Sequence, residues 1–221
     1  MKLELQDLTL QYNGKTPLFQ ELNLSLEGND FVLIQRPSGS GKSSFLRLFN
    51  RLQEPTSGLI LIDEKPASEH DVRQLRRRIG YVQQTPTMMP GTVRENLNLA
   101  YKFKAACTER IPDDGTLRQK LEVYLLGDVD LDEDATKLSV GQRQRISLIR
   151  TLLTDPEMIL ADEPPSALDA ESRTIVQDEL ERLSQKQPLC IVLVTHMDFQ
   201  LHLVCPRKFL LNQKGFQKVD A

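Results

Sequence analysis

The run Arg36-Pro37-Ser38-Gly39-Ser40-Gly41-Lys42-Ser43-Ser44 has the composition of an anion cradle. Gly39 and Gly41 carry no side chain, so successive backbone N–H groups can curl around an oxyanion. A helix that starts here points its positive end at the same place. Lys42 suits the β- and γ-phosphates of a nucleotide as a point charge, and the Ser43 hydroxyl suits Mg²⁺. One position departs from the phosphate-loop pattern, which begins with glycine where this chain has Arg36. Pro37 pushes residue 36 to extended geometry, which arginine tolerates. The arginine side chain must still be accommodated near the phosphates.

A second group with chemical potential closes the apolar run 158–161, where Asp162 and Glu163 follow Met158-Ile159-Leu160-Ala161. Carboxylates at the C-terminal end of a buried strand stand where open α/β sheets bind ligands. Asp162 suits a metal, directly or through water, and Glu163 is placed to polarise an attacking water. A third group is Leu138-Ser139-Val140-Gly141-Gln142, ahead of a helical run over 143–153. Ser139 is an N-cap candidate, and Gly141 permits close backbone approach to an anion.

The elements that position these groups follow from hydrophobic patterning. Broken alternation over 3–10 and alternation over 18–26 predict strands, as do the residues 58–62. The short apolar runs 31–34, 79–82, 158–161 and 191–195 have the length of strands buried on both faces. Phe45, Leu46, Leu48, Phe49 and Leu52 have helical spacing. Between about 85 and 136 the texture turns polar and helical, broken by Pro86, Pro90, Gly91, Pro112, Gly115 and Gly127. The expected architecture is α/β: a core of 1–84 and about 137–221 with a mostly parallel central sheet, an antiparallel N-terminal β subdomain, and a small helical lobe over about 85–136 with the helix from 139 attached.

The formal net charge of −3 gives no global basic bias toward nucleic acid. The cluster Arg73, Arg76, Arg77 and Arg78 is expected to be a solvated helix face. No signal-peptide pattern is visible, and no apolar stretch approaches the roughly 18–20 residues that span a bilayer. Cys107, Cys190 and Cys205 are far apart, form no metal-ligand spacing, and are expected to be reduced, buried small hydrophobes.

Taken together in this order along essentially the whole chain, the three groups resemble the ATP-binding subunit of ABC transporters, a P-loop NTPase family. The resemblance implies further roles. Tyr12 matches the aromatic residue that stacks on adenine, and Gln84 matches the glutamine that senses Mg²⁺ where the membrane partner docks; Gln83 is its adjacent competitor. Ser166-Ala167-Leu168-Asp169 matches a loop that crosses to a second subunit, and His196 matches a histidine that contacts the γ-phosphate. The implied nucleotide site comprises Tyr12, residues 36–44, Gln84, Ser139, Gly141 and Asp169, with Ser43, Gln84 and Asp162 at the metal and Lys42, Glu163 and His196 in catalysis.

The implied arrangement is a head-to-tail homodimer, or a pair with a related subunit. Ser139 and Gly141 of one copy cover ATP on the phosphate loop of the other. Transmembrane permease subunits are the expected partners, and the expected location is peripheral, on the cytoplasmic face of the membrane. Two alternatives stay open: a subunit that binds nucleotide but hydrolyses poorly because of Arg36, and a non-transport ABC ATPase acting on DNA or the ribosome. Against the second stand the lack of a heptad run, the lack of a Cys cluster and the single set of motifs. Residues 84–87 and 144–152 resemble a group of short bacterial subunits that includes an iron exporter, but cargo and direction of transport are not written in the chain.

Overall fold

Leucines 3, 5, 8 and 10 of β1 (Leu3–Leu10) are all buried, although their spacing is not strictly two. A register shift between Leu5 and Leu8 in the pairing with β2 (Phe19–Leu26) absorbs the extra residue, which is how a β-bulge keeps one face apolar. The structure, a computed structural model, describes residues 1–12, 16–35, 41–102, 111–163, 170–195, 201–212 and 215–219. The remaining elements are β3 (Phe31–Gln35), α1 (Lys42–Phe49), β4 (Ser57–Ile62), β5 (Lys65–Pro66), α2 (Val72–Arg78), β6 (Ile79–Val82), α3 (Val93–Leu97), α4 (Asp114–Val123), α5 (Val140–Leu152), β7 (Met158–Asp162), α6 (Ala170–Lys186), β8 (Cys190–Thr195), β9 (Arg207–Asn212) and β10 (Gly215–Lys218).

Two sheets result. An antiparallel sheet has the order β2-β1-β4-β5, and a six-stranded sheet has the order β10-β9-β3-β8-β7-β6. In the second, β9, β3, β8, β7 and β6 run parallel and only β10 is reversed, at the edge. Within it the runs 31–34, 158–161 and 190–194 are apolar throughout because both faces are covered. Val32 and Ile34 of β3 join α1 and the antiparallel sheet in one core. Phe31 and Leu33, pointing the other way, join α3, α4, α5 and α6 in a second. Phe45 of α1 anchors the first core, edge-on to Phe19 at 5.8 Å, Phe49 at 4.8 Å and Phe216 at 5.5 Å.

Three details differ from the sequence expectations. The arginine cluster on α2 is not a free solvated face. Arg76 donates to the backbone oxygens of Asn50 (3.1 Å) and Arg51 (2.8 Å), and Arg78 pairs with Glu157 and Asp63 at 2.5 Å each. Helix α2 lies against the end of α1, so its long cationic side chains are recruited as donors for carbonyls left open there. Cys190 is buried, as expected, and burial pushes its thiol up to about 12, whereas Cys205 is exposed. Cys107 lies outside the described residues. The hairpin of β9 and β10 has no sequence expectation behind it; its register places Phe209 and Phe216 together on the core. No helix among the described residues is long and apolar enough to cross a membrane.

Candidate active site

The C-terminal ends of β3, β7 and β8 lie side by side, with Gln35 level with Thr195 and Asp162 level with Val194. The chain leaves β7 through Glu163, whose φ of +49° is the left-handed region that non-glycine residues seldom occupy. Its N–H is held by Val194 O at 2.9 Å, so the sheet supports this conformation. The side chain turns into the protein, where Glu163 is 3% exposed.

Two side chains converge on that carboxylate. Lys42, the first residue of α1 and 7% exposed, forms an ion pair with Oε1. Gln84 donates from Nε2 to Oε2 at 3.0 Å. Asp162 is buried beside them and accepts from the Tyr81 hydroxyl at 3.2 Å. Burial, and then the charge of Asp162, push the Tyr81 phenol up to about 12, so it remains a donor at neutral pH. Tyr81 carries no sequence expectation; the pairing of β6 with β7 that brings it to Asp162 has no local signature in the chain.

Gly41 caps α1 with φ +92°, and no side chain caps the helix. A Cβ there would come within 2.7 Å of Leu18 Cδ1. Among the described residues no side chain takes the first-turn N–H groups, and the absence of acidic residues in that turn suits an anion. Ser44 Oγ lies 3.0 Å from the Tyr12 hydroxyl, and the Gln53 amide donates to that hydroxyl at 3.0 Å. Tyr12 stays 43% exposed, so a ring face is open while its polar end is tethered to α1. Gln53 also carries no sequence expectation.

The N-terminus of α5 is a capping box. Ser139 Oγ accepts from Gln142 N at 3.2 Å, and Gln142 Oε1 accepts from Ser139 N at 2.8 Å. The cap uses an acceptor lone pair of Ser139 and leaves its hydroxyl proton to donate elsewhere. Ser139 and Val140 face solvent, with Gly141 half-buried behind them. Further along α5, buried Gln144 donates to Gln83 O at 3.3 Å and Arg150 donates to Thr87 O at 3.2 Å. Gln83 therefore contributes its backbone, while Gln84 contributes its side chain to Glu163. Arg145 donates to Ser172 Oγ at 2.8 Å and links α5 to the first turn of α6.

Beyond Gln84, Met89 is exposed, whereas Met88 is half-buried against the second core. Asn96, itself buried, clamps the Met89 backbone on both sides, accepting from N at 2.8 Å and donating to O at 2.9 Å. Beside Gln83 lies an open groove of about 470 Å³ lined by Asn50, Leu52, Arg76, Tyr81 and Leu99 among others.

Ser43, Asp162 and Gln84 would supply a hydroxyl, a carboxylate and an amide oxygen, a hard all-oxygen set that fits Mg²⁺ with phosphates completing its shell. Of the expected site, Arg36, Pro37, Ser38, Gly39, Ser40, the segment 166–169 with Asp169, and His196 lie outside the described residues.

Comparison with known proteins shows the family. The model of the ABC transporter family matches residues 19–166, and the chain belongs to that family. It is 35% identical to ABC transporter I family member 17 of Arabidopsis thaliana, over 92% of this chain and 76% of that protein. It is also 35% identical to the probable iron export ATP-binding protein FetA of Escherichia coli, over 83% of this chain and 80% of that one. It spans about half, 51%, of the glycine betaine/carnitine/choline transport ATP-binding protein OpuCA of Bacillus subtilis. Among solved structures, a dimeric post-hydrolysis state of the ATP-binding cassette MJ0796 bound to ADP and Pi superposes with a TM-score of 0.81 at 28% identity, covering 99% of both chains. The fold is that of the ABC cassette, a P-loop NTPase.

Proposed function

We propose that this chain is the ATP-hydrolysing subunit of an ABC transporter, working as a dimer on separate membrane subunits at the cytoplasmic face of the membrane. The observation that carries the reading is the convergence of Lys42 and Gln84 on the buried Glu163 carboxylate, beside Asp162. Lys42 and the uncapped first turn of α1 would bind the phosphates. Glu163 would orient and deprotonate the attacking water once Lys42 has turned to the nucleotide. His196 would position the γ-phosphate, and Tyr12 would stack on the base. Mg²⁺, held by Ser43, Asp162 and Gln84, supplies charge neutralisation when bound. Phosphoryl transfer to water needs mainly this positioning and charge.

Dimerisation is supported by the solvent-facing Ser139, whose cap leaves a hydroxyl proton to donate, with Gly141 half-buried behind it. Ser139 and Gly141 of one copy would cover ATP bound to the other, and Asp169 would reach across the same interface. The groove beside Gln83 is the surface that would receive the membrane partner, because both the Gln84 segment and α5 border it. A second reading, a subunit that binds ATP but hydrolyses it slowly, is favoured by the arginine at position 36 where the family's loop begins with glycine.

The test is Glu163→Gln. Loss of the general base lowers turnover by about 10²–10⁴-fold and traps an ATP-bound dimer visible by size-exclusion chromatography. A variant that stays monomeric at high protein and ATP concentration removes the support for the shared site.

A further inference from the structure

The Tyr12 hydroxyl meets two polar side chains, one from the start of α1 and one from beyond its end. Ser44 Oγ, in the first turn, lies 3.0 Å away. Both amide atoms of Gln53 are also within reach, Nε2 at 3.0 Å and Oε1 at 3.1 Å. A phenol has one proton to donate and lone pairs to accept with. It can donate to Gln53 and accept from Ser44, or donate to Ser44 and accept from Gln53. Either way both of its capacities are used. Gln53 is itself anchored to α1, its N–H donating to Arg47 O at 3.1 Å. The backbone next to Tyr12 is held separately, because Gln11 N donates to Thr56 Oγ1 at 2.9 Å and that hydroxyl donates to Gln11 O at 3.2 Å.

Tyr12 is therefore held at its tip and beside its backbone, although its side chain lies at the surface. Folding does not require this. An exposed phenol finds hydrogen bonds in water, so the net gain from the tether is small, and ordering the ring costs conformational entropy. What the tether fixes is the position of an open aromatic face relative to the first turn of α1. Lys42 begins that turn, and no side chain caps it. A ligand with phosphates at one end and a flat ring at the other would meet both surfaces already in place. Ordering a free side chain at the moment of binding would instead cost about 2–10-fold in affinity.

We propose that Gln53 is a positioning residue for ATP binding, acting through the Tyr12 hydroxyl to hold the ring ready for the base. This rests on the reading of Tyr12 as the surface on which the base stacks. The phosphates are held elsewhere, so Gln53 should matter for ligands that carry a base and not for those that lack one.

The experiment is calorimetric binding of ATP and of inorganic tripolyphosphate to the full chain, with steady-state Mg·ATP hydrolysis alongside. Gln53→Leu is expected to raise the Kd and KM for ATP about 3–10-fold while kcat and the tripolyphosphate Kd stay within about twofold. Tyr12→Phe, which keeps the ring and loses the hydroxyl, should show the same loss, and Gln53→Leu added to it should cost little further. Tyr12→Ala, which removes the stacking surface, should weaken ATP by about 10–100-fold. If Tyr12→Ala leaves the ATP Kd unchanged, the reading of Tyr12 fails. If Tyr12→Ala weakens ATP and Gln53→Leu does not, the role given to Gln53 fails. It fails equally if Gln53→Leu weakens tripolyphosphate in step with ATP, or if its cost is undiminished in the Tyr12→Phe background.

Discussion

Lys42 and Glu163 form a buried ion pair, the first residue of α1 against the residue that follows β7, and each is the partner the other would have to leave for hydrolysis to begin. Both side chains are more than nine-tenths buried, at 7% and 4% exposure. Breaking such a pair from one side typically costs about 3–5 kcal/mol, because the remaining charge is stranded. Lys42→Met should destabilise the nucleotide-free protein by that order, and Lys42→Met with Glu163→Gln by clearly less than the sum of the single changes. Urea unfolding of the four proteins measures the coupling. Additive effects would mean that the two charges do not depend on each other.

At Arg36 a fixed positive charge would favour phosphate binding, while a long side chain in a loop built for glycine would perturb catalytic geometry. Hydrolysis depends more steeply on geometry than binding does. Arg36→Gly should therefore raise kcat more than it changes ATP affinity, read by steady-state kinetics with calorimetry alongside. An unchanged kcat would make the departure neutral, and a natural chain unable to bind ATP would show that Pro37 does not preserve the loop.

Leu52 lines the groove beside Gln83 and is half exposed, as is Met89. An apolar contact there would be lost to a carboxylate. Leu52→Asp and Met89→Asp should abolish co-purification with any multi-span membrane protein encoded beside this chain and leave ATPase activity of the isolated chain within about twofold, since surface changes seldom exceed ±0.5 kcal/mol. Undiminished co-purification would move the docking surface elsewhere.

Hydrogen bonding from Arg78, against the opposing effect of partial burial, holds the Glu157 carboxyl below the usual carboxylate range. A depressed folded pKa contributes stability that is present above the unfolded value near 4.5 and lost as pH falls through the folded value. Wild type should lose melting temperature between about pH 5 and 3 more steeply than Glu157→Gln, which has no proton to take up. Parallel melting curves over that window would remove Glu157 from the acid response.

The residue types and their order were enough for the family and for most of the elements. The apolar runs of β3, β7 and β8 are short and two-faced, so parallel strands could be read directly, and the phosphate loop, the Asp162-Glu163 pair and the Ser139 cap each have a local chemical logic. The long-range pairings had no local signature. Nothing near Tyr81 in the chain names Asp162 as its acceptor, nothing near Gln53 names Tyr12, and nothing near Glu181 names the amides of 202–204. The same holds for Arg76 and Arg78, which read as a solvated face and instead bond the end of α1 and Glu157. A hydrogen bond acts over about 3 Å in space, so which donor meets which acceptor is settled only when the sheets and helices have packed. Periodicity reports whether a side chain is turned inward, and the tertiary structure alone decides what it finds there.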